Sequence, residues 1–65
     1  MIKLNGTQRE GFEGMTVSEM LKELGYKTEY IAVEMNGDIL KKENYSSTEL
    51  RDGDSLEVVN FVGGG

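Results

Sequence analysis

A chain of 65 residues with no cysteine and no histidine has no disulfide to staple its core and lacks the two commonest zinc ligands, so its stability must come from apolar packing. A hydrophobic fraction of 37% with 29% charged residues is the composition of a folded soluble domain, not of a disordered chain. Seven Lys plus Arg against twelve Asp plus Glu give a net charge of −5 spread along the chain, which argues against a nucleic-acid partner and suits a basic protein.

No stretch approaches the roughly 20 apolar residues of a membrane span. The start, Met1-Ile2-Lys3-Leu4-Asn5, lacks the long apolar core of a signal peptide, so no membrane association and a cytoplasmic location are expected. Ile2-Lys3-Leu4 alternates, Asn5-Gly6 is a turn signal, and Thr7-Gln8-Arg9-Glu10 follows, which predicts an N-terminal β-hairpin. A two-residue turn puts Ile2 and Leu4 on one face with Thr7 and Arg9. Phe12 then falls on the other face unless Gly11 introduces a bulge, and the register stays open.

Thr16-Val17-Ser18-Glu19 is a capping box, in which the Thr16 hydroxyl and the Glu19 carboxylate each satisfy an orphan amide at a helix start. Met15 and Met20 are spaced for a hydrophobic staple, and Val17, Met20, Leu21 and Leu24 form one apolar stripe. Gly25 stands where a left-handed residue ends a helix, with Tyr26 placed to pack on Leu21. A helix of about two turns, Val17 to Leu24, is expected.

Tyr30-Ile31-Ala32-Val33-Glu34-Met35 alternates as a strand, and Asn36-Gly37-Asp38 turns it into the short segment Ile39-Leu40-Lys41. Residues 43 to 49 are polar around Tyr45, Leu50 is an isolated apolar anchor, and Arg51-Asp52-Gly53-Asp54 is a turn. Ser55 to Val62 is the most β-like run. It is apolar on both faces through Leu56, Val58, Val59, Phe61 and Val62, which predicts a central strand covered by the helix on one side and partly exposed on the other. The order β, β, α, β, β, β describes an α+β domain spanning residues 1–62, a mixed sheet with one main helix packed on one face. Residues 63–65 are expected to be a flexible glycine tail.

The inventory for catalysis is thin. Nucleophilic dyads built on His or Cys are impossible, and Asn36-Gly37-Asp38 and Asp52-Gly53-Asp54 fall short of a calcium loop, so no metal site is expected. Acidic neighbours such as Glu10, Glu13 and Glu43, or Glu19 and Glu23, read as solvated faces. Met15, Met20 and Met35 read as packing residues. What remains is the end. Gly63-Gly64-Gly65 carries no side chains and reaches roughly 10 Å beyond the last strand. Such a segment suits entry into a narrow channel of another protein, and the reactive group is the Gly65 carboxylate, which no Cβ shields.

These pieces together, Asn5-Gly6, Thr16-Val17 with Leu21 and Leu24, Ile31-Ala32-Val33-Glu34 with Asn36, the Leu50 to Asp54 turn and the closing Val62-Gly63-Gly64-Gly65, resemble the ThiS family of sulfur carrier proteins over essentially the whole length. The resemblance implies a ubiquitin-like β-grasp fold. It implies that a ThiF-type enzyme uses ATP to adenylate Gly65, that a sulfur donor such as a cysteine desulfurase converts it to a thiocarboxylate, and that thiazole synthase takes the sulfur for the thiazole of thiamine. The chain itself then binds no cofactor and is a protein co-substrate, not an enzyme. Gly63 and Gly64 would thread the partner's channel, with Phe61, Val59 and Val62 as the apolar docking patch and Ile31 as a further candidate that reads better as core. Lys42 and Tyr45 stand where many relatives carry Arg and Trp, so no partner contact is assigned to them. The rival readings are a carrier of the same shape for molybdopterin or tRNA thiolation, and a ubiquitin-like adaptor with an inert tail.

Overall fold

In the computed structural model, which describes residues 1–61, the first hairpin closes by sterics that its two turn residues permit. Asn5 and Gly6 both have positive φ, 49° and 83°, the requirement of the two-residue turn whose twist matches paired strands. β1 (Ile2–Leu4) therefore pairs antiparallel with β2 (Thr7–Arg9) in the register Ile2 with Arg9 and Leu4 with Thr7. Ile2 and Leu4 are buried, while all three residues of β2 are exposed. Phe12 packs against the core from the loop that follows, which resolves the open register.

The helix α1 (Val17–Glu23) begins as its sequence predicts and ends one residue before the expected Leu24, which is its C-cap. The Thr16 backbone N–H donates to Glu19 Oε1 at 2.8 Å, and the Glu19 N–H donates to Thr16 Oγ1 at 3.1 Å. Caps of this kind stabilise a helix by about 1 kcal/mol. At the other end the Gly25 N–H donates to the Lys22 carbonyl and the Tyr26 N–H to the Leu21 carbonyl, the two bonds of a Schellman ending. Two more first-turn donors are satisfied from a distance: Val17 N–H bonds the Thr48 carbonyl at 2.9 Å and Ser18 N–H the Tyr45 carbonyl at 3.0 Å. The polar run before Leu50 is thus an acceptor loop for the helix N-terminus. It enters through a 3-10 turn (Lys42–Asn44) and buries the Tyr45 ring in the core. Burial pushes the Tyr45 phenol above its ordinary pKa.

β3 (Ile31–Met35) follows a 3-10 turn (Thr28–Tyr30) and pairs antiparallel with β4 (Asp38–Leu40) through a second two-residue turn, Asn36-Gly37. β5 (Ser55–Asn60) then enters between β1 and β3, giving the sheet order β2-β1-β5-β3-β4. It runs parallel to β1 and antiparallel to β3, so the sheet is mixed and β5 is its central strand, as expected. Val17, Met20 and Leu21 of the helix join Ile2, Leu4, Ile31, Val33, Leu56 and Val58 of the sheet, with Tyr45 and Leu50, in one buried cluster. Ile31 is 1% exposed, so it belongs to this core and is no part of a docking patch. No helix among the described residues is long and apolar enough to cross a membrane.

The Met1 ammonium ties two loops to this core. It donates to Asp52 Oδ1 and pairs with Glu13 Oε2, while the Gly53 N–H bonds the Met1 carbonyl at 2.8 Å. Hydrogen bonds to Asp52 and then Glu13 push its pKa from 8.0 up to about 10, and the same ammonium holds the Glu13 carboxyl below its usual value. An ammonium whose folded pKa lies above its unfolded one contributes stability that is whole below pH 8 and is lost as pH rises through about 10. The urea midpoint is expected to fall across that interval, and N-acetylation is expected to abolish the fall. An acetylated chain with the same alkaline slope would assign that slope to other groups.

Candidate functional site

The site is built by the strand that leads to the tail. Side chains of β5 alternate: Leu56 and Val58 turn inward to the helix, and Glu57 and Val59 turn outward, with Phe61, one residue past the strand, exposed as well. On the β3 side the ladder is continuous from Met35 opposite Leu56 to Ile31 opposite Asn60, and the Phe61 N–H then bonds the Tyr30 carbonyl at 2.8 Å. On the β1 side strand pairing ends at Leu4 opposite Leu56, and the Asn5 side chain continues it. Val58 N–H donates to Asn5 Oδ1 at 2.7 Å, and Asn5 Nδ2 donates to the Val58 carbonyl at 3.4 Å. A turn amide thus stands in for a strand. Asn36 does the same at the other end of β5, accepting from the Ser55 N–H at 2.9 Å and donating to Asp54 Oδ1 at 3.2 Å.

The chain is therefore clamped from Ser55 to Phe61, the last residue described. Val62, Gly63, Gly64 and Gly65 lie outside the described residues. Val59 and Phe61 are 58% and 49% exposed and sit on the face opposite the helix, where Tyr30 and Ile39, at 51% and 70%, join them. Ala32 pairs with Val59 and carries the same face across β3. Sequence reading missed Tyr30 and Ile39, because alternation shows which residues share a face but not which face is covered.

Within the described residues this arrangement offers little for catalysis. No group of three His, Cys, Asp or Glu could hold a metal among them, and no buried side-chain polar atom lacks a partner. Glu13 and the Met1 ammonium, whose pKa values shift, serve the loop anchor described above. The outer face carries an exposed group of large hydrophobic residues, Tyr30, Ile39, Val59 and Phe61.

The model of the ThiS family matches residues 2–65. The chain belongs to the ThiS family. The sulfur carrier protein ThiS of Bacillus subtilis is 36% identical over 66 residues, with both chains covered in full. The crystal structure of a thiamine biosynthesis protein (ThiS) from Geobacter metallireducens superposes with a TM-score of 0.78 at 37% identity, covering 98% of this chain and 97% of that one. The mixed five-stranded sheet with one helix is thus the ubiquitin-like β-grasp of the ThiS family. A thiazole synthase of Paramagnetospirillum magneticum is 44% identical over 62 residues. This chain spans only 19% of that protein's length, so the likeness there is to one segment of a larger protein.

Proposed function

We propose that this ThiS-family chain is a sulfur carrier for the thiazole of thiamine and that Gly65 carries the sulfur as a thiocarboxylate. The observation that supports this most is the full-length likeness to ThiS carriers, on a chain that closes in Gly63-Gly64-Gly65 and has no cysteine to hold sulfur elsewhere. A carboxylate is a poor electrophile. A ThiF-type enzyme joins the Gly65 carboxylate to AMP from ATP with release of pyrophosphate; the terminal sulfur of a donor persulfide attacks the acyl carbon and displaces AMP, and a thiol reductant then cleaves the S–S bond to the donor, leaving the thiocarboxylate on Gly65. The thiocarboxylate sulfur then serves thiazole synthase as the nucleophile, and the likeness to a thiazole synthase segment is consistent with that pairing. The clamp on β5 fixes where the tail starts, so an enzyme that docks on Val59 and Phe61 receives the last residues from a defined direction.

The test is the mass of the C-terminal peptide after incubation with ATP, the adenylating enzyme and a sulfur donor. Replacement of one oxygen by sulfur is expected on that peptide and is expected to vanish when Gly65 is deleted. The change must be localised there, because oxidation of any of the four methionines adds nearly the same mass. An unmodified carboxylate beside an active enzyme would overturn the carrier reading.

A further inference from the structure

Two Asn-Gly turns, Asn5-Gly6 and Asn36-Gly37, close the hairpins on either side of β5, and each asparagine spends its side chain on β5 or the residue before it. The same dipeptide has chemistry of its own. The glycine nitrogen, with no Cβ beside it, is free to attack the asparagine Cγ. An N–Cγ bond forms, the Cγ–Nδ2 bond breaks, and ammonia leaves with the proton that the glycine N–H gives up. Water then opens the cyclic imide at one carbonyl or the other. The products are aspartate and isoaspartate, whose backbone runs through the former side chain. No oxidant, reductant or partner protein is needed, and both asparagines are exposed to water.

At Asn5 the fold holds the reacting group elsewhere. Its Oδ1 accepts from the Val58 N–H at 2.7 Å, its Nδ2 donates to the Val58 carbonyl at 3.4 Å, and its backbone N–H donates to the Leu56 carbonyl at 2.9 Å. Swinging Cγ onto the Gly6 nitrogen gives up both side-chain bonds to the central strand. Asn36 is held less firmly: its Oδ1 accepts from the Ser55 N–H at 2.9 Å, but its Nδ2 reaches only the Asp54 side chain, at 3.2 Å. A side-chain acceptor can follow the moving amide, whereas the backbone of a strand paired on its other edge to β3 cannot.

We propose that Asn5 is a deamidation site guarded by the fold, and that its conversion unlocks β5 from the first hairpin. The amide that holds Val58 is the amide the reaction consumes. The site therefore reacts when the hairpin parts from β5, an opening of the local kind that folded proteins undergo, and the product cannot close the clamp again. Aspartate keeps an oxygen for the Val58 N–H but turns a second acceptor toward the Val58 carbonyl, where the amide had a donor. Isoaspartate does more. It adds one methylene to the main chain inside a two-residue turn that sets Ile2 opposite Arg9 and Leu4 opposite Thr7, and its carboxylate sits one carbon closer to the backbone. Neither product touches the other edge of β5, where the Phe61 N–H bonds the Tyr30 carbonyl. A chain that has once opened thus carries a lasting mark, and beyond Leu56 the strand is then held from one side only. None of these steps uses Gly65, so they stand apart from the carrier reading.

The experiment incubates the full chain at mildly alkaline pH, folded and in guanidinium chloride, and follows the conversion of amide to acid by mass in the tryptic peptides Leu4–Arg9 and Thr28–Lys41. Fragment ions assign the change to Asn5 and not to Gln8. In denaturant Asn5 and Asn36 are expected to convert at similar rates. In the folded chain Asn5 is expected to slow by about tenfold or more, and by more than Asn36. An Asn5 rate unchanged by folding, or no conversion in denaturant, overturns the guarded site, and equal slowing at Asn5 and Asn36 overturns the role given to Val58. The refolded isoaspartate form, separated by chromatography, is then read by amide hydrogen exchange. Val58 is expected to exchange about tenfold or more faster than in the parent, with Phe61 within about twofold of it. Parent-like protection at Val58, or an equal loss at Phe61, overturns the local lock.

Discussion

Leu56→Ala is expected to remove most of the stability of this domain. Leu56 is 0% exposed at the centre of the inner face, opposite Leu4 on one side and Met35 on the other, and its carbonyl accepts the Asn5 N–H at 2.9 Å. Truncating a buried leucine to alanine costs about 2–5 kcal/mol, from lost transfer energy and the cavity left behind. A domain of 65 residues has a total of only about 3–10 kcal/mol to lose, and no disulfide limits its unfolded chain. The thermal midpoint should drop by more than about 10 °C. Val59→Ala, three residues along the same strand but 58% exposed, is expected to change stability by less than about 0.5 kcal/mol. Calorimetry of the two variants reads the inward and outward faces of β5 directly, and equal losses would refute the alternation on which the proposed docking face depends.

The contrast between Leu56 and Val59 also marks what could be read from the sequence. Both are aliphatic residues in a run that is apolar on both sides, so alternation predicted a central strand without saying which side the helix covers. Signals that close within a few residues were legible: the Thr16–Glu19 capping box, the Asn5-Gly6 turn, and Gly25 ending the helix with Tyr26 beyond it. Each is a local hydrogen-bonding problem with few solutions. Contacts that close across the chain were not legible. The amide of Asn5 meets Val58 53 residues away, the acidic Glu34 lands opposite Glu57, and the polar run around Tyr45 becomes an acceptor loop for a helix start 27 residues earlier, Ser18 bonding Tyr45. Tyr45 looked like a lone aromatic among solvated residues because only the assembled fold supplies the cluster that buries it. The site divides in the same way. Gly63, Gly64 and Gly65 declare themselves by composition, Val59 and Phe61 by alternation, and Tyr30 and Ile39 join them only through the pairing of β3 with β4 and β5.

Gly64→Val is expected to leave the fold untouched and to suppress thiocarboxylate formation on Gly65 by about a hundredfold or more. Among the described residues every buried core residue lies between Ile2 and Val58. The urea midpoint of the variant should therefore match the parent. The expected defect is one of passage and placement. A β-branched side chain restricts the backbone torsions that glycine leaves open and adds width next to the reacting carbonyl. Displacing a reacting group by about 1 Å can cost on the order of a hundredfold in rate. Because the outer face keeps Val59 and Phe61, affinity for the proposed adenylating enzyme should persist, and the loss should appear in the rate at saturating carrier. That split separates docking from chemistry: a weakened affinity at an unchanged saturating rate would place position 64 in the docking contact. A variant thiocarboxylated at the parent's rate would remove the physical reason for a tail without side chains, and the three closing glycines would then need another explanation.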